Sequence, residues 1–221
     1  MPDGTPLTTE TAVLAASLAT SVVFGFIVRA PIGIFRMTMK TASTALLSTL
    51  VFLRGESPIL AGALALGSLG DAFLAWDEGE GAFLCGLSSF LVAHLLYIVE
   101  FLNVGNGYRR LQEDPRRTLL AGILLLAVPA FNSKLMPKVE RALRVPIMVY
   151  SAVSVSMTLS ALTLDNEWVV RGALLFALSD TILAADRFLV APTSGHRPWM
   201  QYSVWILYYS GQYLIAQGLT S

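Results

Sequence analysis

Apolar stretches of about twenty residues, each long enough to cross the hydrocarbon of a bilayer as a helix, follow one another along the whole 221-residue chain. No other feature restricts the possible folds as much. In lipid, every backbone N–H and C=O must find a partner inside the protein, so only helices or closed barrels can span it. A barrel would show alternating runs of about ten residues instead. The pattern predicts an all-α integral membrane bundle of eight transmembrane helices, forming a single domain over residues 1–221. The spans are Thr9–Val28, Met37–Leu53, Pro58–Trp76, Ala82–Leu102, Thr118–Leu135, Leu143–Leu162, Trp168–Ala185 and Met200–Gly218. The connections Arg54–Pro58, Asp77–Gly81, Asn103–Arg117, Asp165–Trp168 and Asp186–Pro198 are short and rich in Gly, Pro and charge. Charged residues make up 14% of the chain, against about 25% in a soluble domain. The net charge is zero and gives no case for nucleic acid as a partner. Cys85 is the single cysteine, so no internal disulfide and no cysteine-only metal cage can form. No cleavable signal peptide is expected, because no basic segment precedes the first apolar run.

Two of the spans carry an aspartate, and each aspartate lies in a copy of one short pattern. LGSLGDAFLAWD holds Asp71 and LFALSDTILAAD holds Asp180, 109 positions later. Leu66, Leu69, Leu74, Ala75 and Asp77 align with Leu175, Leu178, Leu183, Ala184 and Asp186. An aspartate at the centre of a membrane helix costs at least about 2.5–3.5 kcal/mol to insert. A chain that bears this cost twice at matching positions is expected to use the two groups together. Eight spans put both ends of the chain on one side and make the aspartate helices, spans three and seven, run in the same direction. The offset of half the chain suggests two four-helix halves in parallel repeat, related by an axis along the membrane normal. Gly67, Ser68 and Gly70 beside Asp71, and Ala173, Ala177 and Ala184 beside Asp180, are small residues that let helices approach closely. Both carboxyls are therefore expected in the bundle interior. A desolvated pair offers one proton donor and one carboxylate that stabilises a cation or activates water. Nine Lys and Arg lie on the side of the aspartate ends and six on the other, which leans toward aspartates near the cytosol.

Further polar groups are candidates for the site. His94, the only histidine within a span, lies three residues before Tyr97 and on the same helical face. His94 reads either as a helix-packing donor or as a proton relay beside an aspartate. Lys40, early in the second span, either snorkels to the interface or meets a phosphate or one of the two aspartates. In the last span Tyr208 and Gln212 share one face, and Trp205 and Tyr209 share another. The connection Asp186–Pro198, with Arg187, His196 and Arg197, either covers the site and binds a headgroup or is simply solvated. His196 is the only other histidine, and repeated His or Cys spacing is missing, so no zinc site is expected.

GDAFL at Gly70–Leu74, AHLLYI at Ala93–Ile98, GALLFALSDTILAADRF at Gly172–Phe188 and YYSGQYLI at Tyr208–Ile215 resemble the lysoplasmalogenase family of YhhN-like membrane proteins. The lysine-led start of the second span at Lys40 is similar too, although many relatives have proline where this chain has Thr41. The resemblance covers nearly the whole chain. It implies hydrolysis of the vinyl ether bond of lysoplasmalogens to a fatty aldehyde and a glycerophospho-base. No metal or organic cofactor is implied, and the expected partners are a lysophospholipid substrate and membrane lipid. Asp71 and Asp180 are the expected catalytic pair, with Lys40, His94, Tyr97, Arg187, Tyr208, Tyr209 and Gln212 binding substrate or supporting the pair. In a eukaryote the endoplasmic reticulum would be the expected membrane.

Three rival readings share the two acids. A membrane-bound terpene cyclase would use them to protonate an alkene or epoxide, with Phe73, Tyr97 and Tyr208 lining a carbocation pocket. An intramembrane aspartyl protease would need a tight Gly-x-Gly-Asp and a Tyr-Asp pair, which are missing here. A proton-coupled transporter would suit two buried acids, but Pro129 and Pro146 interrupt spans five and six rather than the aspartate spans.

Overall fold

The computed structural model describes residues 8–76, 79–105, 107 and 109–220. Asp77, the repeat partner of Asp186, lies outside the described residues. Among those described there is no strand. The helices are α1 (Thr9–Ile27), α2 (Ile34–Leu53), α3 (Pro58–Trp76), α4 (Glu80–Val104), the short α5 (Arg109–Glu113), α6 (Pro115–Leu135), α7 (Arg141–Ala161), α8 (Glu167–Phe188) and α9 (Arg197–Leu219). A 3-10 turn, Met136–Lys138, joins α6 to α7. All but α5 contain 19 residues or more, and six of them, α1, α3, α4, α6, α7 and α8, are long and apolar enough to cross a membrane. The remaining two, α2 and α9, hold Lys40, Thr44, Tyr208 and Gln212, which turn inward to the site described below. These are the features of an integral membrane protein.

Local chemistry sets the helix ends. Asp114 caps α6 by accepting from the N–H of Arg116, and Pro115 takes the first helical position, where its missing N–H costs nothing. Asn166 caps α8 through the N–H of Trp168. Gly55, with φ of 68°, closes α2 as the left-handed residue of a reversed turn. Two expected connections are shorter than the sequence suggested. Residues 103–117 contain α5 and the start of α6. Asp186 and Arg187 still belong to α8, while Arg197 opens α9, because Asp186 receives two bonds from the Arg197 guanidinium at 3.0 and 3.2 Å. That pair ties the end of one helix to the start of the next.

Helices α1 to α4 pack successively, α4 packs on α7, and α8 and α9 form the closest pair. The main core joins Phe24, Leu47, Leu64, Phe90, Phe176 and Ile215. A smaller cluster of Phe83, Leu135, Val139, Leu143 and Ile147 closes one end of the bundle. Single hydroxyls bind the helices crosswise: Ser48 to the carbonyl of Ala61 at 2.7 Å, Ser68 to that of Thr41 and Ser179 to that of Val204, both at 2.9 Å. Such bonds matter where lipid offers no hydrophobic drive for helix association. At the opposite face Arg54 reaches Glu10, Gln217 and Thr220, which brings together the start of α1, the end of α2 and the end of α9.

Candidate active site

Asp71 stands five residues before the end of α3 and is only 1% exposed. Gly70 beside it lets the ring of Phe90 lie where a Cβ would come within 2.6 Å, and Gly67 gives room to Gln212 and Tyr208. The small residues around Asp71 thus bring α4 and α9 against it. From α2, Lys40 Nζ lies 3.1 Å from Oδ1 and Thr44 Oγ1 donates to Oδ2 at 3.1 Å. From α9, the Tyr208 hydroxyl donates to Oδ2 at 2.7 Å. A second tier follows: Gln212 Nε2 donates to the Tyr208 oxygen at 3.4 Å, and Tyr97 donates to Gln212 Oε1. Every group that reaches Asp71 is a donor or a cation, and each therefore favours its carboxylate form.

Asp180 on α8 has different company. The Tyr150 hydroxyl donates to Oδ2 at 2.8 Å and the Ser154 hydroxyl to the same oxygen at 3.3 Å. His94 Nε2 lies 3.6 Å from that oxygen and has no hydrogen-bond partner among the described residues. His94 Nδ1 is 2.7 Å from the carbonyl of Phe90, which can only accept, so the proton of a neutral ring sits on Nδ1. The Asp180 side chain keeps 17% exposure.

Both carboxyls line one cavity of about 1340 Å³. That exceeds the roughly 300–1,000 Å³ of sites for drug-sized ligands. Arg29, Arg36, Glu80, Lys138, Glu140 and Arg187 also line it. The Arg187 guanidinium lies 4.1 Å from the centre of the Phe83 ring. Thus Lys40, Tyr208, Gln212 and Tyr97 gather around Asp71, His94 stands by Asp180, and Arg187 belongs to the cavity wall. Tyr209 does not reach either carboxyl. Its hydroxyl pairs with Ser17 at 2.7 Å and its ring stacks on Trp205. Phe73 and Tyr97 are not among the residues lining the cavity. His196 is exposed and lies 3.4 Å from the Trp199 indole nitrogen. Among the described residues no group of three or more His, Cys, Asp or Glu is placed to hold a metal ion.

Sequence reasoning missed Thr44, Tyr150 and Ser154. A signal was available: Lys40 and Thr44 are four apart on the helix before Asp71, and Tyr150 and Ser154 are four apart on the helix before Asp180. The offset of about 110 that relates the aspartates also relates these pairs.

Lysoplasmalogenase TMEM86B of Homo sapiens is 32% identical over 163 residues, which cover 73% of this chain and 63% of that protein. The Sus scrofa TMEM86B is 36% identical over 178 residues, 77% of this chain and 70% of the relative. A lysoplasmalogenase of Mycobacterium tuberculosis is 29% identical over 161 residues, 71% of this chain and 58% of the relative. The chain therefore spans less than two thirds of the human and mycobacterial relatives' lengths. No solved structure matches it. The model of the YhhN family matches residues 35–219, from the first turn of α2 to the end of α9 and so through every helix that places a group on Asp71 or Asp180; this chain belongs to the YhhN family.

Proposed function

We propose that this protein hydrolyses the vinyl ether bond of lysoplasmalogens, releasing a fatty aldehyde and a glycerophospho-base. The observation that carries the reading is one large cavity lined by both Asp71 and Asp180, two carboxyls in unlike surroundings. The relatives named lysoplasmalogenase support the substrate class. A vinyl ether is an electron-rich alkene. Protonation of its outer carbon leaves an oxocarbenium ion, water adds to the carbon bearing oxygen, and the hemiacetal then collapses. The first step needs a positioned acid and a nearby negative charge.

Asp180 is the proposed acid. Tyr150 and Ser154 occupy Oδ2, so the proton is on Oδ1, the oxygen available to substrate. Asp180 gives this proton to the outer carbon. The resulting carboxylate takes a proton from the attacking water, and the same carboxyl passes a proton to the departing glycerol oxygen as the hydroxyl proton leaves. The sum is one ether and one water consumed, one aldehyde and one alcohol formed. Asp71, held as a carboxylate by Lys40, Thr44 and Tyr208, stabilises the cation. His94 Nε2 is the nearest basic atom for exchange of the Asp180 proton.

The two sites also support the parallel repeat and eight crossings. Each carboxyl is met by an i, i+4 pair from the preceding helix, Lys40 and Thr44 or Tyr150 and Ser154. Each is also met by one group from the last helix of the other half, Tyr208 of α9 or His94 of α4. The test is aldehyde release from a lysoplasmenyl-ethanolamine by purified protein in detergent. Release by wild type, lost in both Asp71→Asn and Asp180→Asn, is expected. Full activity in both folded variants would end the mechanism. A folded wild type that releases no aldehyde would end the substrate reading, and prenyl substrates would be tried next.

A further inference from the structure

The cavity continues well past the two carboxyls. Arg117, near the start of α6, donates to Glu167 at the start of α8 at 2.5 Å and to the carbonyl of Leu162 at 2.9 Å. At the other end Leu135 of α6 packs in one cluster with Ala184 and Phe188 of α8. The two helices therefore begin at one level and run the same way. At 1.5 Å per residue, Asp180 lies about 20 Å along α8 from Glu167, and Leu120 only about 5 Å along α6 from Arg117. The cavity wall at Leu120 thus lies about 15 Å beyond the acid, toward the face opposite Arg187. The lining changes along this path. Charged groups of both signs, among them Lys138, Glu140 and Arg187, stand at one end, Asp71 and Asp180 in the middle, and Leu120, Leu124, Ala127, Val155 and Leu174 beyond them. This is the polarity profile of an amphiphile with one long chain.

The α6 wall is one helix thick. Its buried residues, Arg117 and Leu135, are at its two ends. Between them one face lines the cavity, and the other presents Leu119 and Leu126, 65% and 76% exposed. We infer that α6 is the wall of a slot for a single unbranched alkyl or alkenyl chain, and that Leu120, Leu124 and Ala127 set the chain length accepted. The slot rests on the lipid reading for its occupant's head but not on the vinyl ether chemistry.

The test uses saturated lysophosphatidylethanolamines of stepped chain length, each with a photoreactive diazirine at the chain end, on the purified full chain in detergent. In wild type the long-chain probe is expected to label α6 around Leu120 and Leu124. Ala127→Trp should cut that labelling at least tenfold while the shortest probe still binds, and Leu120→Ala should lengthen the longest chain accepted. Leu126→Trp, on the other face of the same helix, should change neither. Labelling on other helices, or equal effects of Ala127→Trp and Leu126→Trp, would overturn the slot. If Ala127→Trp does not fold, the shift by Leu120→Ala decides. The two readings fail separately: wild type labelled on α6 without aldehyde release loses the vinyl ether and keeps the slot, whereas release with labelling elsewhere does the reverse.

Discussion

Lys40 stands 3.1 Å from Asp71, while the ion-pair distances among the described residues give Asp180 only a histidine. This difference in company leads to different expected costs of mutation. Lys40→Met leaves a buried carboxylate without its cation, a change of about 3–5 kcal/mol in comparable buried pairs. Its unfolding temperature in detergent is expected to fall well below wild type. Lys40→Met combined with Asp71→Asn removes both charges and should recover most of that stability, without recovering activity. If the double variant is no more stable than Lys40→Met alone, the pair is not the source of the loss. Asp180→Asn keeps the shape and the bonds from Tyr150 and Ser154 but has no proton to give. Its aldehyde release is expected to drop by about 10²–10⁴-fold, the usual worth of a positioned acid, with little change in unfolding temperature. The aspartates were legible in the sequence because a charge in an apolar run is rare, and the Tyr208–Gln212 pair because of its helical spacing. Thr44, Tyr150 and Ser154 were legible only through the offset of 110 that relates Lys40 and Thr44 to Tyr150 and Ser154. Taken singly, hydroxyls are common in membrane helices, and many bond back to their own helix, as Thr49 and Ser156 do.

At the scale of the element, α8 and α9 meet backbone to backbone. A Cβ at Gly172 would stand 2.8 Å from the carbonyl oxygen of Gly211, and one at Gly211 the same distance from that of Gly172. Neither side is a flexible chain that can swing away. Gly211→Leu should force the pair apart and destabilise by about 1–3 kcal/mol or more, read as a lower unfolding temperature. Gly122→Leu, where nothing lies within 4 Å, should leave it unchanged. Equal effects would mean that helix propensity rather than contact decides. Because Tyr208 and Gln212 ride on α9 and Asp180 on α8, the Gly211 variant should also lose aldehyde release. The helix limits agree with the apolar runs to within a few residues, since hydrocarbon thickness and polar connections mark them strongly. The short α5 was hidden in a charged connection with no apolar face. The stand-off of α6 was equally hidden, because its composition resembles that of packed spans and only its neighbours show that one face lines a cavity.

For the whole molecule the proposed eight crossings depend on α2 and α9, the two long helices outside the group apolar enough to cross by composition alone. Four of their polar residues turn to the site: Lys40 and Thr44 meet Asp71, Tyr208 meets Asp71, and Gln212 meets Tyr97. A helix whose polar groups are satisfied inside the bundle can cross without presenting them to lipid. This gives a topology that thiol labelling can check in a Cys85→Ser background. Ile32, between α1 and α2, and Thr193, between α8 and α9, should lie on one side when replaced by cysteine. Glu56, between α2 and α3, and Thr220, just after α9, should lie on the other when replaced by cysteine. Nine basic residues against six lean toward the Ile32 and Thr193 side facing the cytosol. An impermeant maleimide applied from the cytosolic side should therefore modify the first two and spare the second two. If Ile32 and Glu56 label from the same side, α2 does not cross. Lys40 would then be an interfacial residue, its pairing with a buried Asp71 could not hold at that depth, and the eight-crossing arrangement would fall together with the assignment of Asp71 as the lasting carboxylate.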